Sequence, residues 1–446
     1  MRLKDDMENL GTRQRGLTPI SMRKLFISLY YIASYALILL GYHEFVVPIY
    51  GYLGFEWNPD PVKITESVFL SFLLPWFLPV RFARPSDLLL HLQLLFPILP
   101  MIVLYAAEGQ SRDFLYITVS AFLLMVLVAS KTHIKVIRIT RISPVLFQRL
   151  LLGGSFVVIG LIIMFGGLNY LNFDLLRVYE FRSDSASNLP GIFGYLSPLV
   201  SKVLLPFSLL LAVINKDRFL ALVAILGSTM MFGLTSHKGP LFYPFVVLAV
   251  YFVASRRDGI RMLLIGYLIS LIVSLVAFLF EQGLLVGSLM LRRAYLVPAQ
   301  LNYVYFDFFS SNPFYLWSQS KVTFGLLSVP YTLAPSHLIG LEYYNNEQTG
   351  ANTGWIGSGY MNAGIIGVYL YSVIMGLLLA LLNAYSKAID KSIVVATIVA
   401  PMLAVFMSAD LPTAFLNHGI ILSLILFSMF SIQQKRLPVQ ARRIVC

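Results

Sequence analysis

The sequence predicts an all-α polytopic membrane protein with about twelve transmembrane helices. Of its 446 residues, 58% are hydrophobic and only 12% are charged, and the mean hydropathy is +0.78. A soluble globular chain has about 25% charged residues, so this composition excludes an ordinary soluble domain. The apolar residues also recur in blocks of about 20, the length that a helix needs to cross a bilayer.

The apolar blocks follow one another along most of the chain. The block at 65–81 is the weakest, because it is short and contains Pro75 and Pro79, and the block at 355–384 exceeds the length of one crossing. The predicted spans are 25–45, 65–81, 88–107, 114–130, 147–168, 192–214, 219–235, 240–255, 262–281, 355–384, 392–409 and 417–433.

These spans predict a single transmembrane domain over 25–433, between a basic N-terminal segment (1–24) and a tail (434–446). The first apolar block has no clear small-residue cleavage site, so we expect it to remain as a signal anchor. The single cysteine is Cys446, which excludes an internal disulfide.

Charge asymmetry predicts the orientation of the bundle. If the N-terminus is cytoplasmic, every short inner segment is basic, including "KTHIKVIRITR" at 131–141 and "RRDGIR" at 256–261. Cytoplasmic loops carry an excess of Lys and Arg, so we expect both termini in the cytoplasm. This bias, with contact to anionic membrane lipids, explains most of the net charge of +12 without a nucleic-acid partner.

Basic residues on the outer side oppose this bias and need another explanation. Two outer loops are long: 169–191 contains Arg177 and Arg182, and 284–354 begins near Arg292 and Arg293. We interpret both pairs as ligands for anionic groups, because arginine binds phosphate through two parallel hydrogen bonds; a plain solvated loop is the alternative. The second loop is too long to be structureless, so we expect amphipathic helices in it that lie in the membrane interface.

The second outer loop is dense in aromatic residues, with Tyr295, Tyr303 and the carboxylate of Asp307 in "RRAYLVPAQLNYVYFDFF". An aromatic belt at the headgroup level is one interpretation. The other is a platform for sugar rings, since tyrosine offers an apolar face and a polar hydroxyl. Both can hold together.

Three smaller features complete the candidate site. The turn "TSHKGP" carries His237 and Lys238 ahead of a helix N-terminus, which suits an anion, although a purely geometric turn has equal weight. Asp410 falls at the outer end of a span, where a carboxylate is costly unless it is paired or functional. Asn352 and Asn362 lie in the Gly-rich stretch "TGANTGWIGSGYMNAGIIG", whose glycines favour close helix packing.

The residue types together indicate the substrate class. The histidines have no metal-ligand spacing and no P-loop is present, so we expect no metal and no cofactor. Arginines suit phosphate, aromatics suit sugars and the bilayer suits a lipid, and a sugar chain on a polyprenyl pyrophosphate combines all three. Its pyrophosphate leaves once its charge is stabilised, and Asp307, Asp410, His237 or His337 could act as base for an acceptor hydroxyl.

Three stretches resemble the bacterial Wzy-type O-antigen polymerases, which join oligosaccharide repeat units. They are "LTSHKGPLFYPFVV", "RRAYLVPAQLNYVYFDFFSSNPFYLWS" and "GYMNAGIIGVYLYSVIMG", and the resemblance covers about 150–430 together with the layout of two large outer loops. It implies a membrane bundle of the C-type glycosyltransferase kind in the bacterial inner membrane. It also implies metal-independent transfer on the periplasmic face, undecaprenyl pyrophosphate as the carrier lipid and a chain-length regulator protein as partner.

In that family, arginines of the two large periplasmic loops carry function. The matching positions are Arg177 and Arg182 in one loop and Arg292 and Arg293 in the other, and the sequence does not decide between the members of each pair. Two alternatives stay open. An O-antigen ligase would depend on a loop histidine such as His337, and a lipid-linked oligosaccharide flippase would need cations in the middle of the bundle, where Lys202 is the one candidate.

Overall fold

The computed structural model describes residues 19–136, 142–174, 189–280 and 283–430. Its regular structure is helical, apart from an isolated bridge between Ile142 and Phe430. The helices, numbered in chain order, are α1 (Ile20–Leu53), α2 (Pro61–Leu73), α3 (Pro85–Ala107), α4 (Arg112–Lys131), α5 (Pro144–Met164), α6 (Phe193–Asn215), α7 (Arg218–Thr235), α8 (Gly239–Ala254), α9 (Gly259–Phe278), α10 (284–311), α11 (Pro335–Tyr344), α12 (Trp355–Tyr385), α13 (Lys391–Met407), α14 (Leu411–Leu416) and α15 (Ile420–Met429).

Multiple apolar helices indicate a membrane-embedded protein. Within the described residues, nine segments are long and apolar enough to cross a membrane: α1, α3 to α7, α9, α12 and the α14–α15 pair. Two shorter apolar helices, α8 and α13, match the predicted spans 240–255 and 392–409. These segments coincide with eleven of the predicted spans, so the polytopic helical class is supported, while the exact number of crossings stays a prediction.

The weakest predicted span, 65–81, corresponds to α2 and the 3-10 turn that follows it, Leu74–Phe77. This segment runs beside α1. The backbone N–H of Asp60 at its start donates to Ala106 at the end of α3 (3.3 Å). At the other end, Lys24 Nζ donates to the carbonyl of Trp76 (2.9 Å). The segment therefore extends between the two ends of the bundle, despite its two prolines.

Opposite ends of the bundle differ in chemistry. We call the end where α3, α7 and α13 finish the loop end, since backbone hydrogen bonds join the connecting segments there, as between Asn172 N and Gly233 O (2.9 Å). We call the other end, where α1, α7 and α9 begin, the basic end. Among the described residues, predicted inner cations such as Arg257 lie at the basic end.

Four π-helical segments interrupt the described helices, and each ends two residues before a proline. They are Tyr42–Val46, Leu94–Ile98, Val200–Leu204 and Ser288–Leu296, followed by Pro48, Pro100, Pro206 and Pro298. A proline has no N–H for the carbonyl four residues earlier, and its ring clashes with that carbonyl. In each case that carbonyl lies inside the π-helical segment, so the wider winding accommodates the proline without breaking the helix.

Helix α10 differs from the expectation of an interfacial loop. It packs against α9 and α12, and its apolar residues Leu291, Leu296 and Ala299 are fully buried. Ser270 of α9, which bonds Tyr295 Oη (2.7 Å), lies eight residues before the end of α9, so α10 enters the bundle by about 12 Å. Because α10 contains polar residues, hydropathy alone did not indicate that it enters the bundle.

Helix α12 is broken after its second turn. The φ/ψ angles are −154°/32° at Ala363 and 59°/−140° at Gly364, where a Cβ would meet the Phe314 ring at 2.9 Å. The two halves fold so sharply that a Cβ on Gly367 would collide with the carbonyl of Gly359. The length of the predicted span 355–384 is thus explained by a short half-helix joined to one long enough to cross.

Candidate functional site

A cavity of about 460 Å³ opens at the loop end and is the first part of the candidate site. Its walls come from α6, from the turn between α7 and α8, and from the segment between α14 and α15. Its polar lining includes Lys202, His237, Tyr243 and His418. Leu189, which also lines it, lies at the start of the described segment that leads into α6.

Lys202 is the most informative residue of this cavity. It is only 8% exposed, its Nζ lies 2.7 Å from Nδ1 of His418, and it sits 5.6 Å from the centre of the Tyr243 ring. No carboxylate of the described residues forms an ion pair with it. In its protonated form, Lys202 donates one N–H to the imidazole and keeps two others, and in that form it can bind an anion.

The position of Lys202 follows from its own helix. It lies in the π-helical segment Val200–Leu204, and Pro206 lacks the N–H that would bond its carbonyl. The residue stands nine positions after the start of α6, about 14 Å along the helix axis. An ionisable residue at such a depth in a spanning helix is by default a candidate for function.

Asp410 belongs to a second part of the site, a chain of hydrogen bonds around the break in α12. Trp317 Nε1 donates to Tyr371 Oη (2.7 Å), and Tyr371 Oη donates to Asp410 Oδ1 (2.7 Å). Asn362 joins the chain, since its Nδ2 donates to Tyr371 Oη (3.2 Å) and its Oδ1 accepts from the backbone of Trp317 (2.9 Å).

The break itself creates this network. Because α12 stops at Ala363, the carbonyls of Met361 and Asn362 are released, and they accept backbone N–H groups of Tyr315 and Leu316 at 3.0 Å each. Burial raises the pKa of Asp410 to about 6, although the bond from Tyr371 lowers it. Asp410 is therefore a carboxyl group that changes its protonation state close to neutral pH.

Arg292 and Arg293 lie in the π-helical segment of α10. Arg292 is half-buried, with its guanidinium 4.3 Å from the centre of the Tyr50 ring and its Nε donating to Ser288 Oγ (2.9 Å). Arg293 is exposed. The two adjacent arginines therefore differ in exposure, and the structure distinguishes them where the sequence did not. The predicted partners Arg177 and Arg182 lie outside the described residues.

The remaining predicted site residues fall in several places. His237 lines the cavity, and Lys238 precedes the first turn of α8. Asp307 is exposed and accepts a hydrogen bond from Tyr343 Oη (2.5 Å). His337 Nδ1 lies 2.6 Å from the carbonyl of Glu347.

Tyr295 and Tyr303 are buried and do not line this cavity. They are 5% and 2% exposed, and Tyr303 Oη donates to the carbonyl of Met101 (3.0 Å). Their positions indicate that they hold α10 in the bundle, so we do not include them in the proposed substrate path.

The second outer loop also approaches the cavity. Lys321 lies between α10 and α11, and its Nζ is 4.7 Å from the centre of the Tyr195 ring in α6. Tyr195 follows Gly194, which lines the cavity. Arg292 contacts Tyr50 and Ser288, and Asp307 contacts Tyr343, and none of these three partners lines the cavity.

The sequence analysis did not identify His418 as a site residue. It considered Lys202 only as the cation that a flippase would need in the middle of the bundle. The signal for Lys202 was present, since it was the one cation near the middle of a predicted span, but its contact with His418 joins residues 216 positions apart. Among the described residues, no three His, Cys, Asp or Glu side chains gather as a metal site would require. Comparisons of the chain with protein-family models, curated proteins and solved structures gave no match.

Proposed function

We propose that the chain polymerises oligosaccharide repeat units carried on undecaprenyl pyrophosphate, producing O-antigen or a related surface polysaccharide. The observation that carries the proposal is Lys202, a buried lysine that lines a cavity of about 460 Å³. The pyrophosphate of such a lipid lies at the membrane surface while its polyprenyl chain lies in the bilayer, and the cavity at the loop end gives its anionic group a path to Lys202. The resemblance to the Wzy-type polymerases supports the same substrate.

In the proposed reaction, a hydroxyl of the incoming repeat unit attacks the anomeric carbon of the growing chain. The bond between that carbon and the pyrophosphate oxygen breaks, and undecaprenyl pyrophosphate leaves with both bonding electrons. Lys202 stabilises the developing charge on this leaving group, as a fixed cation in a water-poor site does effectively. The hydroxyl proton passes to a base.

Of the four predicted base candidates only His237 lines the cavity itself, and we propose Asp410 as the base on its connection to the cavity and its protonation. Its segment leads through α14 to His418, which lies beside Lys202. A carboxyl with a pKa of about 6 is ionised at neutral pH and accepts a proton more readily than an ordinary, more acidic carboxylate does. Asp307, by contrast, is exposed.

Arg292 is proposed to bind a second phosphate group, that of the incoming repeat unit. Its ring contact with Tyr50 and its bond to Ser288 fix the guanidinium, which leaves its outer N–H groups in a defined direction.

Changing Arg292 and Arg293 together to alanine should abolish polymer at unchanged protein level. The matched control changes Arg149 and Arg218, two exposed arginines near the basic end, and full-length polymer from the first variant would refute the role.

A flippase for the same lipid-linked oligosaccharides is the second candidate. It is favoured by the depth of Lys202, since a transporter for an anionic lipid needs cations inside its bundle. The two functions make different use of the cavity. A polymerase needs two substrates side by side, whereas a flippase needs one substrate to cross between the ends.

The experiment that tests the function is deletion of the gene followed by electrophoresis of the cell's lipopolysaccharide. Collapse of the ladder to core plus one repeat unit is expected, because export and attachment persist while extension stops. Loss of every repeat with long chains still on the lipid carrier would indicate a ligase. Loss of every repeat without any periplasmic intermediate would indicate the flippase, and an unchanged ladder would refute a role in this polysaccharide.

A further inference from the structure

A second cavity, of about 230 Å³, lies at the basic end, away from the candidate site. It is a cleft between the start of α1, the segment after α2 and the start of α9. Four arginines line it: Arg23, Arg81, Arg257 and Arg261. They come from three separate parts of the chain, so the fold gathers charges that the sequence keeps apart.

The charge of this cleft is poorly balanced. Asp258 is the single carboxylate of its lining, against four guanidinium groups, and its Oδ1 lies 3.8 Å from Arg23 Nη1. Arg261 Nε donates to Tyr30 Oη at the long distance of 3.4 Å. The lining therefore carries an excess of three positive charges, and guanidinium groups are well suited to bind phosphate oxygens in pairs.

The walls of the cleft are apolar, unlike those of a site for a free anion. Ile27 and Ile260 are buried in its floor, and Phe26 presents a ring that is 55% exposed. Apolar side chains continue outward from it along the surfaces of α1 and α9, for example Leu29 and Ile269, which are 51% and 54% exposed. Helix α9 is the least buried of the nine candidate spans.

We infer that this cleft binds an anionic phospholipid, with the phosphate among the arginines and the acyl chains along α1 and α9. Topological bias accounts for positive residues near this end, but it does not require four arginines from distant segments to surround one apolar cleft. Basic pockets between transmembrane helices are known to hold phosphate headgroups. The inference does not depend on the proposed function, because the cleft and the candidate site lie at opposite ends.

The test uses the full-length protein, purified in a mild detergent. Its melting temperature is measured with added phosphatidylglycerol or cardiolipin and, separately, with phosphatidylcholine or inorganic pyrophosphate. We expect the anionic lipids alone to raise the melting temperature. Native mass spectrometry should show the bound lipid, with apparent affinity falling at least tenfold on changing Arg81 and Arg257 to glutamine.

The control variant changes Arg149 and Arg218 to glutamine, which removes the same charge near the same end but outside the cleft. An equal loss of lipid in the two variants would overturn the inference, since net charge alone would then explain binding. Stabilisation by pyrophosphate as large as that by lipid would also overturn it, in favour of a soluble anion. Replacing Arg81 with lysine should give an intermediate affinity, because lysine keeps the charge but loses the planar fork.

Discussion

Replacement of Lys202 by methionine should separate function from stability. Methionine has a similar length and no charge, so it fills the same space beside His418 while removing the only cation that the described cavity lining buries. A ligand's charged hydrogen bond is worth about 1.5 to 3 kcal/mol. At 1.36 kcal/mol per factor of ten, losing one such bond should slow polymerisation by about tenfold to hundredfold.

In contrast to this loss of activity, the substitution should leave the stability of the protein unchanged or raise it. A lysine near the middle of a spanning helix costs about 2.5 to 3.5 kcal/mol on insertion scales, and methionine removes this cost. The substitution also takes away the partner of His418 Nδ1, which costs about 1 to 3 kcal/mol if the nitrogen stays unpaired. His418 faces a cavity of about 460 Å³, and water there can replace the lost bond.

The assay combines product formation with thermal unfolding. Purified wild type and the Lys202→Met variant are compared for polymer made from a lipid-linked repeat unit and for melting temperature in detergent. Lys216→Met is the matched control, since this exposed lysine directly follows the last residue of the same helix. Activity lost together with a lower melting temperature would show that Lys202 is structural, and unimpaired polymerisation would refute its role in the reaction.

Three further predictions concern the buried carboxyl groups and the break in α12. Because burial raises the pKa of Asp410 to about 6, its stabilisation is complete below about pH 4 and is lost as pH rises through about 6. Asp410→Asn should therefore abolish the rise of activity through pH 6 and melt higher than wild type at pH 7. Burial raises the pKa of Glu108 from 4.5 to about 7, so unfolding curves should show wild type losing stability relative to Glu108→Gln as pH rises from 4.5 to 7. Gly367→Ala should destabilise by about 3 kcal/mol, as overpacking against backbone does, whereas Gly160→Ala, whose Cβ meets nothing within 4 Å, should gain about 0.5 to 1 kcal/mol in denaturant.

Specific outcomes would contradict each of these predictions. An activity that is independent of pH between 5 and 7 in wild type would exclude Asp410 as the base. Parallel pH profiles of melting for wild type and Glu108→Gln would show that Glu108 titrates normally. Equal effects of the two glycine substitutions would mean that the halves of α12 do not meet at Gly359 and Gly367.

Local sequence signals predicted much of the helical architecture. Hydropathy located eleven of the helical segments, because a spanning helix needs a continuous apolar block. It failed for α10, where Gln300 and Asn302 make the sequence polar although both are buried. Gln300 Nε2 donates to the carbonyl of Gly54 (2.9 Å) and Asn302 Oδ1 accepts from Gly357 N (2.8 Å). These partners are distant in sequence, so composition alone could not reveal them.

Some residues of the candidate site were predictable one by one, but their arrangement was not. Asp410 and Asn362 were identified as polar residues at costly positions, and the structure joins them through Tyr371. Tyr371 itself gave no signal, because an aromatic residue in an apolar helix is ordinary. The break at Gly364 depends on contact with Phe314, which no spacing rule predicts.

The prolines suggest why cations occur where they do in this bundle. A proline within a helix deprives one carbonyl of its N–H partner. The π-helical winding just before the proline shifts the side chains of that turn relative to those of an α-helix. In α6 the affected carbonyl belongs to Lys202, and in α10 the affected segment contains Arg292. A carbonyl that lacks the N–H of a proline can accept a hydrogen bond from water or a ligand instead. The prolines thus place a polar backbone group beside or near Lys202 and Arg292, as the proposed site for lipid-linked phosphates requires.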